Sequence, residues 1–137
     1  MVLARVTAEP IDPAVCLAAV GAAHVGGLGL FIGTVRDGDH GRRVISLSYE
    51  AHPTAEEHLV EVCTRAAQRD VSSVAALHRV GDLSIGDAAV IVAVAAVHRA
   101  EALDTTRWLI DTIKAEVPLW KHQFFADGTD EWVGACS

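Results

Sequence analysis

The segment AAVIVAVAAVH (88–98), followed directly by RAEALDTTRWLIDTIKAEV (99–117), decides the fold class of this chain. The first part is apolar over ten residues, which is too short for a membrane span and predicts a buried strand. The second part has the periodicity of a long helix, and Pro118 ends it because proline disfavours helix at the residue before it. The pair predicts a buried strand that leads directly into a long helix.

The remaining elements follow from the same reading on either side of this pair. Asp12 is a suitable N-cap, and Pro13 suits the first position of a helix. Mixed helices and strands, with hairpin-like spacing late in the chain, predict an α+β fold with a mostly antiparallel sheet, in one domain spanning 1–137. The predicted elements are a strand at 4–8, a short helix at 11–23, a glycine-broken strand at 26–36, a polar turn or loop at 37–43, a strand at 44–51, a helix at 53–70, strands at 71–81 and 88–98 around glycine turns at 81–87, an extended segment at 119–125, a turn at 126–130 and a last strand at 131–135.

Composition and charge exclude several classes of protein. Hydrophobic residues make up 51% of the 137 residues and charged ones 21%, which is typical of a globular chain and not of a disordered one. A net charge of −7 without a basic run argues against nucleic acid, although a small anionic ligand can still bind where the local charge is positive. Three cysteines without C-x-x-C, and no signal peptide or membrane span, predict free thiols in the cytoplasm.

Common cofactor and metal motifs are absent. Four glycines, at 26, 27, 29 and 33, do not match the dinucleotide fingerprint, because their segment continues as a strand and does not open a helix. We interpret them as positions of a bend or of close backbone approach. The seven histidines lack zinc-ligand spacing, so we expect no metal and no cofactor.

The only two lysines, Lys114 and Lys121, lie within a stretch of eight residues, on either side of Pro118. On a helical wheel Lys114 lies at the border of the apolar arc, next to Leu103 and Ile110, where its amine can reach a cleft and acquire a lowered pKa. The proline turns the chain, so both amines can converge on one pocket. The alternative is that both lysines are solvated surface charges.

Two further sites combine apolar strand ends with cationic side chains. Arg36 follows the strand at 26–36, and His98 with Arg99 stands where the long helix begins. A helix N-terminus beside histidine and arginine suits a phosphate group. Capping and surface solvation are the alternative roles for His98 and Arg99.

In combination, these motifs resemble the large, catalytic subunit of molybdopterin synthase. The resemblance runs in order from about residue 26 to 133. It is carried by GLFIGTVRD (29–37), LSYEAHPTAEEHL (47–59), LHRVGDLSIGDAAVIVAVAAVHRAEAL (77–103), IDTIKAEVPLWKHQ (110–123) and DGTDEWV (127–133).

The resemblance implies a fold, a reaction and partners. The fold is an α/β hammerhead with an added small antiparallel β subdomain. The reaction adds two sulfurs to cyclic pyranopterin monophosphate, giving the dithiolene of molybdopterin without a metal or bound cofactor. Sulfur arrives on the C-terminal Gly-Gly thiocarboxylate of a small ubiquitin-like partner, and two large subunits form a homodimer within a heterotetramer.

The resemblance also assigns residues. Lys114 and Lys121 match the two catalytic lysines, and we expect Lys114 to be the more essential because its border position buries it more. The expected substrate-binding residues are the phosphate contacts Arg36, His98 and Arg99, the aromatic Phe31, and the flanking Thr34, Val35, His122 and Gln123. The family often has a second basic residue and then an acid where this chain has His122 and Gln123.

The helix itself limits what one chain can offer. Fifteen residues separate Arg99 from Lys114, which is roughly 22 Å along a helix axis. We therefore predict a composite site, with Lys114, Lys121 and Arg36 from one chain and His98 and Arg99 from its mate. The alternative functions are a non-catalytic subunit of the same fold, which binds a phosphorylated pterin or the small partner without turnover, and a phosphate-ligand sensor.

Overall fold

The computed structural model describes residues 1–134 and contains nine strands and three helices within that range. The long helix ends where Pro118 predicts, because Val117 already has the extended ψ of 123°. The bounds are β1 Val2–Thr7, α1 Pro13–Val20, β2 Gly27–Thr34, β3 Gly38–Asp39, β4 Arg42–Ala51, α2 Ala55–Ala67, β5 Ser73–Arg79, β6 Gly81–Ser84, β7 Ala88–Ala96, α3 Arg99–Glu116, β8 Leu119–Phe125 and β9 Asp130–Val133.

The main sheet has the strand order β1-β5-β7-β2, in which only the β1–β5 pair is parallel. Successive side chains of a strand point to opposite faces. On β5, Val74 and Ala76 therefore face α2 and α3, whereas Ala75 and Leu77 face α1. Both faces of the central strands are covered, which explains why β7 is apolar almost without interruption.

A second sheet of five strands has the order β3-β4-β8-β9, with β6 also paired to β4. The predicted α+β class, with a mostly antiparallel sheet and a small β subdomain, is confirmed. The glycine turns predicted at 81–87 are present, and the strand β6, which pairs with β4 over Gly81–Ser84, was not predicted. The turns themselves lie at Gly81 and Gly86, which both have a φ of +89°.

Glycines of β2 let α3 pack against the strand at close range. A Cβ on Gly29 would lie 2.1 Å from Thr106 Oγ1 and 2.6 Å from the carbonyl oxygen of Ala102. A Cβ on Gly27 would lie 3.2 Å from the Cα of Arg99. The interpretation of these glycines as positions of close backbone approach is confirmed.

The helical wheel assigns Leu103 to the packed face of α3 incorrectly. Leu103, placed in the apolar arc, is 59% exposed, whereas Thr105 and Thr106 are buried. Both threonine hydroxyls have partners that offset their burial, because Thr106 donates to the carbonyl of Ala102 and Thr105 accepts from Arg69. The packed face is thus turned toward the β2 glycines and away from Leu103.

Other local predictions fare better. The Asp12 side chain caps α1 by accepting from the backbone N–H of Ala14, as predicted.

Cys16 and Cys63 are buried free thiols, and burial raises their pKa to about 11 and about 12. Cys136 lies outside the described residues, as does residue 135, the end of the last predicted strand. Within residues 1–134 no helix is long and apolar enough to cross a membrane.

Candidate active site

A cavity of about 440 Å³ opens where the C-terminal half of α3, the end of β2 and the second sheet meet. Three different elements supply its cationic side chains: Arg36 follows β2, Lys114 is in the last turn of α3, and Lys121 is on β8. Of the ten predicted site residues, seven line this cavity: Phe31, Thr34, Val35, Arg36, Lys114, Lys121 and Gln123.

The two lysines converge as predicted. Pro118 separates α3 from β8, and the alternation of β8 then turns Lys121 and Gln123 toward the cavity. The positive charge of Lys114 is one of the groups that lower the pKa of Lys121, so the two ammonium groups act on each other. The alternative of solvated surface charges describes the exposure of Lys114 but not that of Lys121, which is half-buried.

The expected ranking of the two lysines by burial is wrong. Lys114 is exposed, whereas Lys121 is half-buried, since it lies on a strand flanked by β4 and β9. Burial is the main cause that lowers the pKa of Lys121; Lys114 and Arg36 lower it further, while Asp39 and Glu131 oppose them. A lowered pKa is the property that proton transfer and nucleophilic attack by an amine require.

Asp39, which the sequence places in a polar loop, organises the rim of the cavity. Its carboxylate accepts a 2.8 Å hydrogen bond from Gln123 Nε2 and lies 3.7 Å from Arg36. The Gln123 hydrogen bond is the main cause that lowers the pKa of Asp39, so the carboxylate is ionised beside Lys121. This role is evident only from the contacts of Asp39 with Gln123 and Arg36, because the sequence of the loop does not indicate which of its carboxylates makes them.

The other predicted phosphate contacts, His98 and Arg99, lie outside the cavity lining of their own chain. Both are exposed at the start of α3, and Arg99 and Lys114 belong to one uninterrupted helix, Arg99–Glu116. His98 is the N-cap residue but its side chain makes no capping hydrogen bond, whereas the exposure of both residues agrees with the surface-solvation part of that alternative. A single chain does not bring His98 or Arg99 to the two lysines.

His122 is also not part of the cavity lining, contrary to the prediction. It neighbours Lys121 on β8 and therefore points to the opposite face of the sheet. There its ring stacks on Trp132, with centroids 4.1 Å apart, and its Nε2 lies 2.5 Å from Asp130. Its contacts are those of a residue that holds the β8–β9 hairpin together.

Two residues that sequence reasoning missed, Tyr49 and His78, complete the cavity wall. Tyr49 stands opposite Lys121 in the β4–β8 pair, and its ring meets His78 edge to face, with centroids 4.8 Å apart. His78 is 6% exposed, and burial lowers its pKa to about 4. The motif that contains His78 carried the family resemblance, but nothing in its spacing indicated that the ring faces the lysines.

The arrangement favours an anionic ligand and proton transfer. Three cationic side chains converge on one cavity, although the chain as a whole has a charge of −7. Local potential of this kind attracts anions to an otherwise acidic protein. Within the described residues, no group of three His, Cys, Asp or Glu side chains could hold a metal ion.

A family model and individual relatives of this chain agree on one family. The model of the MoaE protein family matches residues 6–116. Molybdopterin synthase catalytic subunit 1 of Mycobacterium tuberculosis (strain ATCC 25618 / H37Rv) is 42% identical over 132 residues, which are 95% of this chain and 89% of that protein. The Homo sapiens molybdopterin synthase catalytic subunit is 39% identical over 111 residues, 80% of this chain but only 58% of that longer protein.

A solved structure shows the same fold. The crystal structure of molybdopterin synthase from Staphylococcus aureus superposes with a TM-score of 0.88 at 30% identity and covers 96% of each chain. The likeness includes both sheets and all three helices of the described residues, because nearly the whole chain is aligned.

Proposed function

This chain belongs to the MoaE family, and on that premise we propose that it is the catalytic subunit of a molybdopterin synthase. It transfers sulfur from the C-terminal thiocarboxylate of a small ubiquitin-like subunit to cyclic pyranopterin monophosphate. Two such transfers build the dithiolene of molybdopterin, and each leaves the partner's tail as a carboxylate once water has replaced the sulfur.

The observation that carries this proposal is the convergence of Lys114, Lys121 and Arg36 on one cavity. Arg36 can hold a phosphate with two parallel hydrogen bonds from its planar guanidinium. Lys121, with its lowered pKa, moves protons or attacks the acyl carbon as a transient covalent partner. Lys114 is more exposed and supplies positive charge to the oxyanion that develops.

The small subunit is the second component of the proposed enzyme. Its extended Gly-Gly tail enters the cavity and places the thiocarboxylate between the lysines. We place the reaction in the cytoplasm, where the buried thiols Cys16 and Cys63 stay reduced.

Two large subunits form the centre of the proposed heterotetramer. Apolar side chains follow the edge strand β2 and the adjacent helix, and they are 37–59% exposed in the single chain: Leu28, Leu30, Ile32 and Leu103. A second copy that covers this surface also brings its His98 and Arg99 to the site. The alternative of a non-catalytic binding subunit is less favoured, since it leaves a lysine with a lowered pKa in the cavity without a task.

The test is reconstitution with purified components. The protein is mixed with the thiocarboxylated small subunit and cyclic pyranopterin monophosphate, and molybdopterin is detected by mass spectrometry or as its oxidised fluorescent derivative. We expect product only when all three components are present. Binding of both partners without product would favour the non-catalytic alternative.

A further inference from the structure

His78 presents a polar group on the wall of the cavity that the sulfur-transfer scheme does not use. It ends β5 on the same face as Val74 and Ala76, which directs its ring toward α3 and the cavity. With 6% of its surface exposed, the residue is nearly enclosed. A buried polar side chain in this position calls for a partner for each of its ring nitrogens.

One ring nitrogen has its partner within the protein. Nδ1 lies 2.8 Å from the backbone carbonyl oxygen of Arg79, and since a carbonyl only accepts, Nδ1 carries the hydrogen. Burial and the nearby charge of Lys114 lower the pKa of the imidazole to about 4, so the ring is neutral at physiological pH. A neutral ring with hydrogen on Nδ1 has a free lone pair on Nε2.

That lone pair makes no hydrogen bond to any residue in the described range 1–134. Lys114 is near enough to influence the imidazole electrostatically, but no hydrogen bond joins the two. Tyr49 meets the ring edge to face and so fixes its plane without using Nε2. The acceptor is therefore fixed in orientation and available to a ligand.

Building on the proposed function, we propose that His78 recognises the pterin ring, with its Nε2 accepting a hydrogen bond from a ring N–H of the substrate. A pterin is flat and has N–H donors on its edge. The cavity offers the aromatic side chains of Phe31 and Tyr49 for its faces and the fixed Nε2 of His78 as an acceptor for its edge. A site of this kind discriminates against analogues that lack the N–H, because the bound analogue would cover the acceptor without giving it a partner.

Two substitutions separate recognition from a structural role. In His78→Gln the longer amide places its oxygen near the position of Nε2, whereas in His78→Asn the shorter amide can replace only the Nδ1 contact with Arg79. The assay measures kcat and KM for cyclic pyranopterin monophosphate and, separately, KM for the thiocarboxylated small subunit. Circular dichroism confirms that each variant is folded.

We expect His78→Gln to keep a KM for the pterin within about threefold of wild type, and His78→Asn to raise it roughly tenfold. Activity of His78→Asn equal to or above that of His78→Gln would overturn the proposal, because it would assign the residue to holding Arg79. A raised KM for the small subunit alone would also overturn it, since the acceptor would then serve the peptide tail. Wild-type turnover in the same assay tests the proposed function independently.

Discussion

Arg99 and Lys114 lie at the two ends of the same uninterrupted helix, so α3 holds them roughly 22 Å apart along its axis. A pterin monophosphate is about half that long. The helix is packed on the β2 glycines at close range and cannot bend to shorten this distance. We therefore expect a substrate that contacts both residues to take them from two different chains.

Subunit complementation tests this composite site. Lys114→Ala and Arg99→Ala proteins, each inactive alone, are mixed in equal amounts and allowed to exchange subunits. Half of the dimers then contain one chain of each variant. One of the two sites in each such dimer carries neither substitution, so about a quarter of wild-type activity should return. If both residues served the same site from one chain, every site would remain damaged and the mixture would stay inactive.

The two lysines should respond differently to arginine. Lys121→Arg should lose about 100-fold or more in kcat, because a guanidinium stays protonated and cannot replace an amine of lowered pKa. Lys114→Arg should keep more activity than Lys121→Arg, since the exposed Lys114 supplies charge. The rate of product formation in a single turnover measures the loss in each variant. The reverse order would mean that the exposed lysine performs the chemistry.

The acid stability of the protein should depend on His78. Its pKa of about 4 lies below the unfolded value of about 6.5, so the unfolded state binds more protons between these pH values. Its contribution is complete above pH 6.5 and is lost as the pH falls toward 4, on the order of 3 kcal/mol. The groups that face it are Lys114 from α3, whose charge helps to lower the pKa of His78, and Tyr49 from β4, whose own pKa is raised by burial.

Urea denaturation of wild type and His78→Gln across pH 4 to 7 provides the measurement. The free energy of unfolding should fall less steeply with acid in the variant than in wild type. Parallel curves for the two proteins would show that the imidazole is not protonated on unfolding.

Close packing of α3 on β2 makes Gly29 a sensitive position. A methyl group there would meet Thr106 Oγ1 and the Ala102 backbone, so Gly29→Ala should destabilise the fold by about 2 kcal/mol or more. Gly134→Ala is the control, because a Cβ at that position has no atom within 4 Å. Chemical denaturation compares the two. A Gly29→Ala protein as stable as the control would show that helix and strand can separate at little cost.

Periodicity predicts the large elements of this protein and fails where pairing partners decide the structure. The strand β7 and helix α3 are evident from ten apolar residues and a terminal proline. The strand β6 is not, because four residues that begin with a glycine become a strand only when β4 lies alongside. Likewise, Leu103 is exposed because α3 packs a different face against the glycines of β2, and a helical wheel carries no information about the packing partner.

For similar reasons, only part of the candidate site was predictable from the sequence. Residue types and order indicated Lys114, Lys121 and Arg36, and the structure brings all three to one cavity. The difference in burial between the lysines could not be read from the helix border, since it arises from the strands that flank Lys121. Asp39 and His78 were missed because their roles are contacts across the fold, at 84 residues of separation for Asp39 and Gln123.

The most direct test of the central claim, that this cavity is where sulfur is transferred, is molybdopterin formation in a single turnover by Lys114→Ala and Lys121→Ala. Arg5→Ala serves as the control, since Arg5 is an exposed cation on β1 and does not line the cavity. We expect normal product from wild type and Arg5→Ala, and losses of about 100-fold or more from both lysine variants while they still bind the small subunit. Product at the wild-type rate from either folded lysine variant would contradict the account.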